Sequence, residues 1–194
     1  MGLNKDGMNL LHKVFENYSN IKDIRMFDFG DQESYSWNGF FNGIAKNYWE
    51  NLGLDYISLD LSGLNGSLKR DITDSVDDLG QFDIVNNFGS SEHVYPLDKQ
   101  YQTFKNLHKL CKIGGYMIHH IPPTGYWLEH GFFTKLVERN SYEIVYYKYI
   151  DTSQLISCIL RKNNDYFIEK DNFPFEEIEW DEDAPLKDNY RIKK

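Results

Sequence analysis

Short runs rich in β-branched and aromatic residues alternate along this chain with longer stretches of helical period, and that alternation constrains the fold more than any other feature. Strands separated by helices do not pair as simple hairpins. They line up in a largely parallel sheet with helices on its faces. Residues 24–29 predict a first strand stopped by Gly30, 56–60 a second, 67–72 a short third and 82–88 a fourth. Residues 116–121 predict a fifth, entered through Gly114-Gly115 and ended by Pro122-Pro123. A leading helix runs to about Tyr18. A second carries Phe40, Phe41, Ile44, Tyr48 and Leu52 at helical spacing, with Gly53 as its stop. Residues 97–111 form a third, with Tyr101, Phe104, Leu107, Leu110 and Cys111 inward, and a fourth lies around 132–138. Residues 142–149 and 154–160 close the pattern as an antiparallel hairpin at the sheet edge. The expected architecture is a single α/β domain of three layers over residues 1–162, with a seven-stranded, mostly parallel sheet. Residues 163–194 read as an acidic tail, pinned by Phe173, Phe175 and Trp180.

Composition narrows the partners. With 21 Lys+Arg against 30 Asp+Glu the formal charge is −9, which repels phosphate backbones, so no nucleic-acid partner is expected. No apolar run approaches the roughly 20 residues a membrane span needs. The first residues lack the pattern of a secretory signal, and a cytoplasmic location is expected. Cys111 and Cys158 lie far apart and are expected to be reduced and buried. No Cys-x-x-Cys or His-x-x-x-His spacing is present, so no metal site is expected.

In an open parallel sheet, ligands bind beyond the carboxyl ends of the strands, near the point where strand order switches. The informative residues are therefore those at the strand exits. They are Asp28-Phe29-Gly30-Asp31-Gln32 after the first strand, Asp60 after the second and Asp71 after the third. Asn86-Asn87-Phe88-Gly89-Ser90-Ser91-Glu92-His93 follows the fourth, and His119-His120 ends the fifth.

These exits, read with Phe82-Asp83-Ile84-Val85, Ser91-Glu92-His93-Val94 and the Gly114-Gly115 turn, resemble the class I S-adenosylmethionine-dependent methyltransferases. The resemblance spans about residues 24–160 and implies a Rossmann-like sheet with a closing antiparallel hairpin. It also implies S-adenosylmethionine as cofactor, held by Asp28, Gly30, Gln32, Asp60, Asp71 and Asn87. In the family the glycine loop reads acidic-x-Gly-x-Gly-x-Gly, whereas here Gln32 and Ser34 replace the second and third glycines. Asp60 suits the two ribose hydroxyls of such a cofactor, and would equally suit NAD.

A proton acceptor is the other requirement of methyl transfer, and His is the side chain that ionises near neutral pH. His93 is the first candidate and His120 the second, since adjacent His119 and His120 point to opposite faces of their strand. Glu92 and His93 also fit a plain role at the start of the following helix. Tyr126 and His130, in the stretch after the Pro-rich exit, are expected to contact a small-molecule or sugar-like substrate. The chain thus reads as a methyltransferase. The alternatives are a methyltransferase fold without catalysis, favoured by Gln32, and a weaker NAD-dependent oxidoreductase.

Overall fold

A computed structural model of the chain describes residues 3–34, 39–122, 131–150, 155–174, 178–180 and 190–192. Helix α1 (Lys5–Phe15) begins on Asn4, whose side chain accepts from the Gly7 N–H at 2.8 Å. Strand β1 (Arg25–Phe29) follows, then a two-residue ribbon of β2 (Glu33–Ser34) and β3 (Gly43–Ile44). Helix α2 (Ala45–Leu52) leads to β4 (Asp55–Asp60) and the short β5 (Leu68–Lys69). Strand β6 (Phe82–Phe88), helix α3 (Leu97–Leu110) and the long β7 (Cys111–Ile121) form the second half of the parallel sheet. Helix α4 (Phe132–Asn140) and the hairpin β8 (Glu143–Ile150) and β9 (Leu155–Arg161) complete it.

The strands lie in the order β5-β4-β1-β6-β7-β9-β8. Neighbours are parallel from β5 to β7, and β9 inserts antiparallel between β7 and β8. The chain moves outward from β1 to β4 and β5, then returns to place β6 on the other side of β1. That return makes the β1/β6 boundary the switch point, where a crevice opens at the carboxyl ends.

Strand alternation divides the core into two layers. Met26, Ile84, Tyr116 and Ile118 pack against α1 and α2 through Met8, Leu11, Val14 and Trp49. Phe27, Val85 and Met117 pack the other way, against Phe104 and Leu107 of α3 and Phe132, Phe133 and Leu136 of α4. Burial on both faces explains the adjacent apolar pair Ile84-Val85 at the centre of β6, and makes Asn86 and Asn87 buried polar residues.

The sequence expectations hold for the strands of the parallel core and for the closing hairpin. Both cysteines are free and buried. The second helix is shorter than its periodicity predicted, because it starts at Ala45 and leaves Phe40 and Phe41 outside. Phe41 instead stacks on Tyr48 with ring centroids 4.1 Å apart, so its spacing reflects a tertiary contact rather than a helical turn. Gly53 ends α2 as expected, at φ +90°. The third strand shrinks to Leu68–Lys69, which places Asp71 in the turn beyond it. The fifth begins early, at Cys111, through an irregular register between Phe82 and Ile84 of β6.

Beyond β9 the chain keeps packing on the domain. Lys162 is buried, and its ammonium donates to the carbonyls of His108 and Cys111 and pairs with Asp165 at 2.8 Å. Ile168 and Phe173 enter the α3–α4 core layer. Phe175 and most of the acidic run lie outside the described residues. A small ribbon pairs Ile178–Trp180 with Tyr190–Ile192. Among the described residues no helix is long and apolar enough to cross a membrane.

Candidate functional site

A cavity of about 330 Å³ opens at the carboxyl ends of β1, β4 and β6, within the size range of small-ligand sites. The β1 exit contributes Phe29, Gly30, Asp31 and Gln32; the β4 exit contributes Asp60 and Leu61. Arg70, Asp71 and Ile72 form one wall, and Gly89, Ser90, His93 and Val94 form the opposite one.

Gly30 is where the backbone leaves no alternative. It sits at φ +106°, and a Cβ there would lie 2.4 Å from Ser90 Oγ and 2.8 Å from Gln32 Nε2. Both the left-handed conformation and the tight approach demand glycine. The Gly30 N–H is fixed by the Leu59 carbonyl at 2.9 Å, which ties the loop to β4.

Gln32 takes the place of a glycine by making bonds. Its Nε2 donates to the carbonyl of Phe88 at 3.1 Å and lies 3.4 Å from the carbonyl of Phe29 and from Ser90 Oγ. Ser90 Oγ donates to the Phe29 carbonyl at 2.6 Å. The amide must face these carbonyls with its NH2, which leaves Oε1 buried without a partner. The loop is thereby stitched across the switch point, and one acceptor remains unsatisfied.

Asp60 accepts from the Ser62 N–H at 2.7 Å and from the Asp31 N–H at 3.2 Å. Burial acts to raise its pKa, but the hydrogen bonds from Ser62 and Asp31 outweigh it and hold the carboxyl below its ordinary value. An ionised carboxylate has about four lone-pair sites, so acceptor capacity remains. Asp31 beside it is pushed up by burial against the opposing bond from Asn65, with Asp60 and Glu33 adding repulsion.

Asp71 is more fully used. It accepts from the N–H and hydroxyl of Thr73 at 2.9 and 2.8 Å and from Lys99 at 3.0 Å. Its turn is held in turn by α3, since Asn106 Nδ2 donates to the carbonyls of Ile72 and Asp74. Arg70 on the same wall makes a two-pronged pair with Asp78 at 2.7 and 2.9 Å.

Three expected site residues lie elsewhere. Asp28 is buried on the α1/α2 side of β1, not in the cavity wall. It accepts from Tyr56 at 2.7 Å and from Asn86 at 2.5 Å, joining β4, β1 and β6. Burial pushes its pKa up to about 6 against the lowering effect of these two bonds. Asn87 is fully buried, and its Oδ1 accepts from the Ser91 N–H. Its Nδ2 therefore donates, to Ser91 Oγ at 2.8 Å and His119 Nδ1 at 3.2 Å, and the side chain is consumed in shaping the β6 exit.

His120 also lies outside the lining of this cavity. Asn4 uses Oδ1 to cap α1, so its Nδ2 must be the donor to His120 Nε2 at 2.9 Å. The ring proton then sits on Nδ1 and points to Ser157 Oγ at 2.9 Å. With both nitrogens engaged and burial pulling the pKa down to about 4, the ring is a strut between α1 and β9. His119 stacks on Phe104 in the other layer, and burial lowers its pKa to about 3.

His93 does line the cavity, with 72% of its side chain exposed. Partial desolvation by the neighbouring protein holds its pKa below the ordinary value. Tyr126 and His130 lie outside the described residues. The sequence reading missed Ser90, Arg70 and Leu61 as wall residues; the pairing of a required Gly30 with a serine at the β6 exit was the available signal. Among the described residues no cluster of three or more His, Cys, Asp or Glu is arranged to hold a metal ion.

No protein-family model and no curated protein matches the sequence. Solved structures do match. The chain is similar to the 1,6-didemethyltoxoflavin-N1-methyltransferase of Burkholderia thailandensis, crystallised with S-adenosylhomocysteine, at TM-score 0.57 and 12% identity over 80% of this chain and 77% of that one. It is similar to a TehB-like SAM-dependent methyltransferase of Corynebacterium glutamicum at TM-score 0.54 and 12% identity, covering 82% and 98% of the two chains. The N-methyltransferase NodS of Bradyrhizobium japonicum gives TM-score 0.52 and 11% identity, with 81% and 94% covered. With β9 inserted between β7 and β8 and the cavity at the β1/β6 switch point, the fold of this chain is that of the class I S-adenosylmethionine-dependent methyltransferases.

Proposed function

We propose that the chain is a methyltransferase that binds S-adenosylmethionine in the cavity at the ends of β1, β4 and β6 and acts on a small molecule. The observation that carries this reading is the pairing of Asp60, a carboxylate with spare acceptor capacity, with the β1 loop at Gly30, both in the wall of the cavity at the switch point. The residues fit the cofactor's polarity. Asp60 would accept from the ribose hydroxyls, and Ile72 and the remaining lone pair of Asp71 would meet the adenine. When bound, the cofactor supplies a methyl group made electrophilic by a sulfonium. The chain's own work is then to hold that methyl in line with the acceptor, keep bulk water away and provide for the acceptor's proton. A small-molecule acceptor, rather than nucleic acid, accords with the charge of −9.

A second reading, a binding protein of this fold without catalysis, draws on Gln32 in place of the loop glycine. Calorimetry with S-adenosylmethionine, S-adenosylhomocysteine and NAD separates the readings. Micromolar binding of the first two, weakened on the order of 30- to 150-fold in Asp60→Ala by the loss of about 2–3 kcal/mol of charge-assisted hydrogen bonding, supports the proposal. Absence of binding at millimolar cofactor removes it, and cofactor binding without methyl transfer to any screened metabolite favours the second reading.

A further inference from the structure

Strand β5 stops at Lys69, and the wall that Arg70, Asp71 and Ile72 give the cavity is irregular backbone. Its own local bond is the turn from the Asp74 N–H to the Asp71 carbonyl. The rest of its shape comes from α3 behind it. Asn106 is 4% exposed, and Nδ2 spends its two hydrogens on the carbonyls of Ile72 at 2.6 Å and Asp74 at 2.8 Å. Gln102 on the same helix donates to Asn106 Oδ1 at 2.8 Å, which keeps the amide nitrogen toward the turn. Two turns before Asn106, on the same side of α3, Lys99 donates to Asp71 Oδ2 at 3.0 Å.

The peptide between Ile72 and Thr73 joins the two clamps. Its carbonyl accepts from Asn106, and its N–H donates to Asp71 Oδ1 at 2.9 Å. If that peptide turned, the bond to Asn106 and the hold on the Asp71 carboxylate would be lost together. Burial acts to raise the Asp71 pKa, but the bonds from Thr73 and Lys99 outweigh it and hold the carboxyl below its ordinary value. Asp71 is thus an ionised group that only accepts, fixed in place with one lone pair to spare.

We propose that Asn106, which is not in the cavity lining, is the positioning residue that sets the site's choice of purine, favouring a 6-amino over a 6-oxo base. The proposal rests on the reading above, in which Asp71 and Ile72 meet the adenine. A fixed acceptor bonds an exocyclic amino group, whereas a 6-oxo group in the same place sets acceptor against acceptor. A site built to bond a donor rejects the analogue that lacks it. Asn106 acts through the Ile72 carbonyl alone, so it governs the base and not the ribose, whose partner Asp60 is held separately by the N–H groups of Ser62 and Asp31.

Calorimetry with S-adenosylhomocysteine and S-inosylhomocysteine, which carry the amino and the oxo base on the same frame, tests this. The wild-type protein should prefer the amino ligand at least about tenfold. Asn106→Asp keeps the shape but puts an acceptor where the donor stood, and Asn106→Leu removes the donor. Both should cut the preference to about threefold or less, with S-inosylhomocysteine affinity within about twofold of wild type. Lys99→Met, at an exposed position, should lower the preference in the same direction. Equal loss of both ligands in the Asn106 variants, or an unchanged preference, would leave Asn106 a purely structural residue and overturn the proposal. Should neither Asn106 variant fold, an unchanged preference in Lys99→Met overturns it. Equal binding of both ligands by the wild-type protein also overturns it while sparing the cofactor reading. Failure to bind either ligand would bring down the cofactor reading, and this one with it.

Discussion

The side-chain amide of Asn4 donates to Nε2 of His120 at 2.9 Å across 116 positions of sequence, joining the start of α1 to the end of β7. The same Asn4 caps α1 through Oδ1, and the same His120 donates from Nδ1 to Ser157 on β9. One chain of hydrogen bonds therefore holds helix, parallel strand and antiparallel strand together. His120→Ala is expected to cost stability, about 1–3 kcal/mol, because Asn4 and Ser157 lose buried partners. Cofactor affinity should stay within about threefold. Asn4→Ala should cost about 1–2 kcal/mol through loss of the cap and of the same bond. The double variant should cost less than the sum, since both remove one shared bond. Urea unfolding of the four proteins checks this, and strict additivity would contradict the network.

Gly30→Ala should abolish cofactor binding while leaving the fold intact. The added Cβ meets Ser90 Oγ at 2.4 Å in a backbone of φ +106°, so the loop must move away from the geometry that shapes the cavity. Ser90→Gly in the same chain relieves the contact but not the backbone conformation, which alone costs about 1–2 kcal/mol. Partial recovery of S-adenosylhomocysteine affinity in that double variant is the expected result. Full affinity in Gly30→Ala would show that the loop does not set the site.

The order of elements and the strand exits were legible because short stretches of β-branched and aromatic residues, such as Phe82, Ile84 and Val85 in Phe82–Phe88, are set between segments of helical period. Gly53 and Pro122 marked ends for local steric reasons. What the sequence did not disclose was contact. Phe41 mimics a helical period through its stack on Tyr48, and Asp28 looks like a cavity carboxylate although strand alternation turns it toward Tyr56 and Asn86. His120 attracted a catalytic role by residue type, and only the capping bond of Asn4 reveals that its ring is already committed. Glu92 and His93 are neighbours whose burial differs completely, a difference set by how a three-residue turn sits on the sheet.

The contributions of Asp28 and Glu92 to stability should fall as pH rises from about 4 to 7, against the opposite contribution of His108, His119 and His120, whose folded pKa values burial lowers to about 4, 3 and 4. The folded pKa of Asp28 is raised to about 6 and that of Glu92 to about 7, both by burial. A carboxyl whose folded pKa exceeds its unfolded one leaves the native state holding more protons between the two values. Its stabilising contribution is complete below the unfolded pKa, about 4, and is lost as pH rises through the folded one. Asp28→Asn keeps an acceptor for Asn86 while removing the ionisation. The expected outcome is a flatter profile of unfolding free energy between pH 4.5 and 7.5, by on the order of 1–3 kcal/mol. An unchanged slope in Asp28→Asn would mean that Asp28 titrates alike in both states.

Restoring the missing glycine should weaken this site. In the family pattern a glycine at position 32 clears space for the cofactor, which suggests that Gln32→Gly would improve binding. The geometry argues the reverse. Gln32 Nε2 donates to the Phe88 carbonyl and links the β1 loop to Ser90 across the switch point, so its removal orphans a buried carbonyl and frees the loop. Glycine adds backbone entropy to the unfolded chain as well. Gln32→Gly is therefore expected to lose about 1–3 kcal/mol of stability and to bind S-adenosylhomocysteine at least about tenfold more weakly, because the β1 loop that walls the cavity is no longer held to Phe88 and Ser90. Gln32→Met, equal in length but without the amide, separates the two effects: it fills the space, loses the same hydrogen bonds and should show the same loss of affinity with less loss of stability. Calorimetry and urea unfolding on both variants decide the matter, and tighter binding in Gln32→Gly would mean that the side chain obstructs the cofactor rather than holding the loop that walls its site.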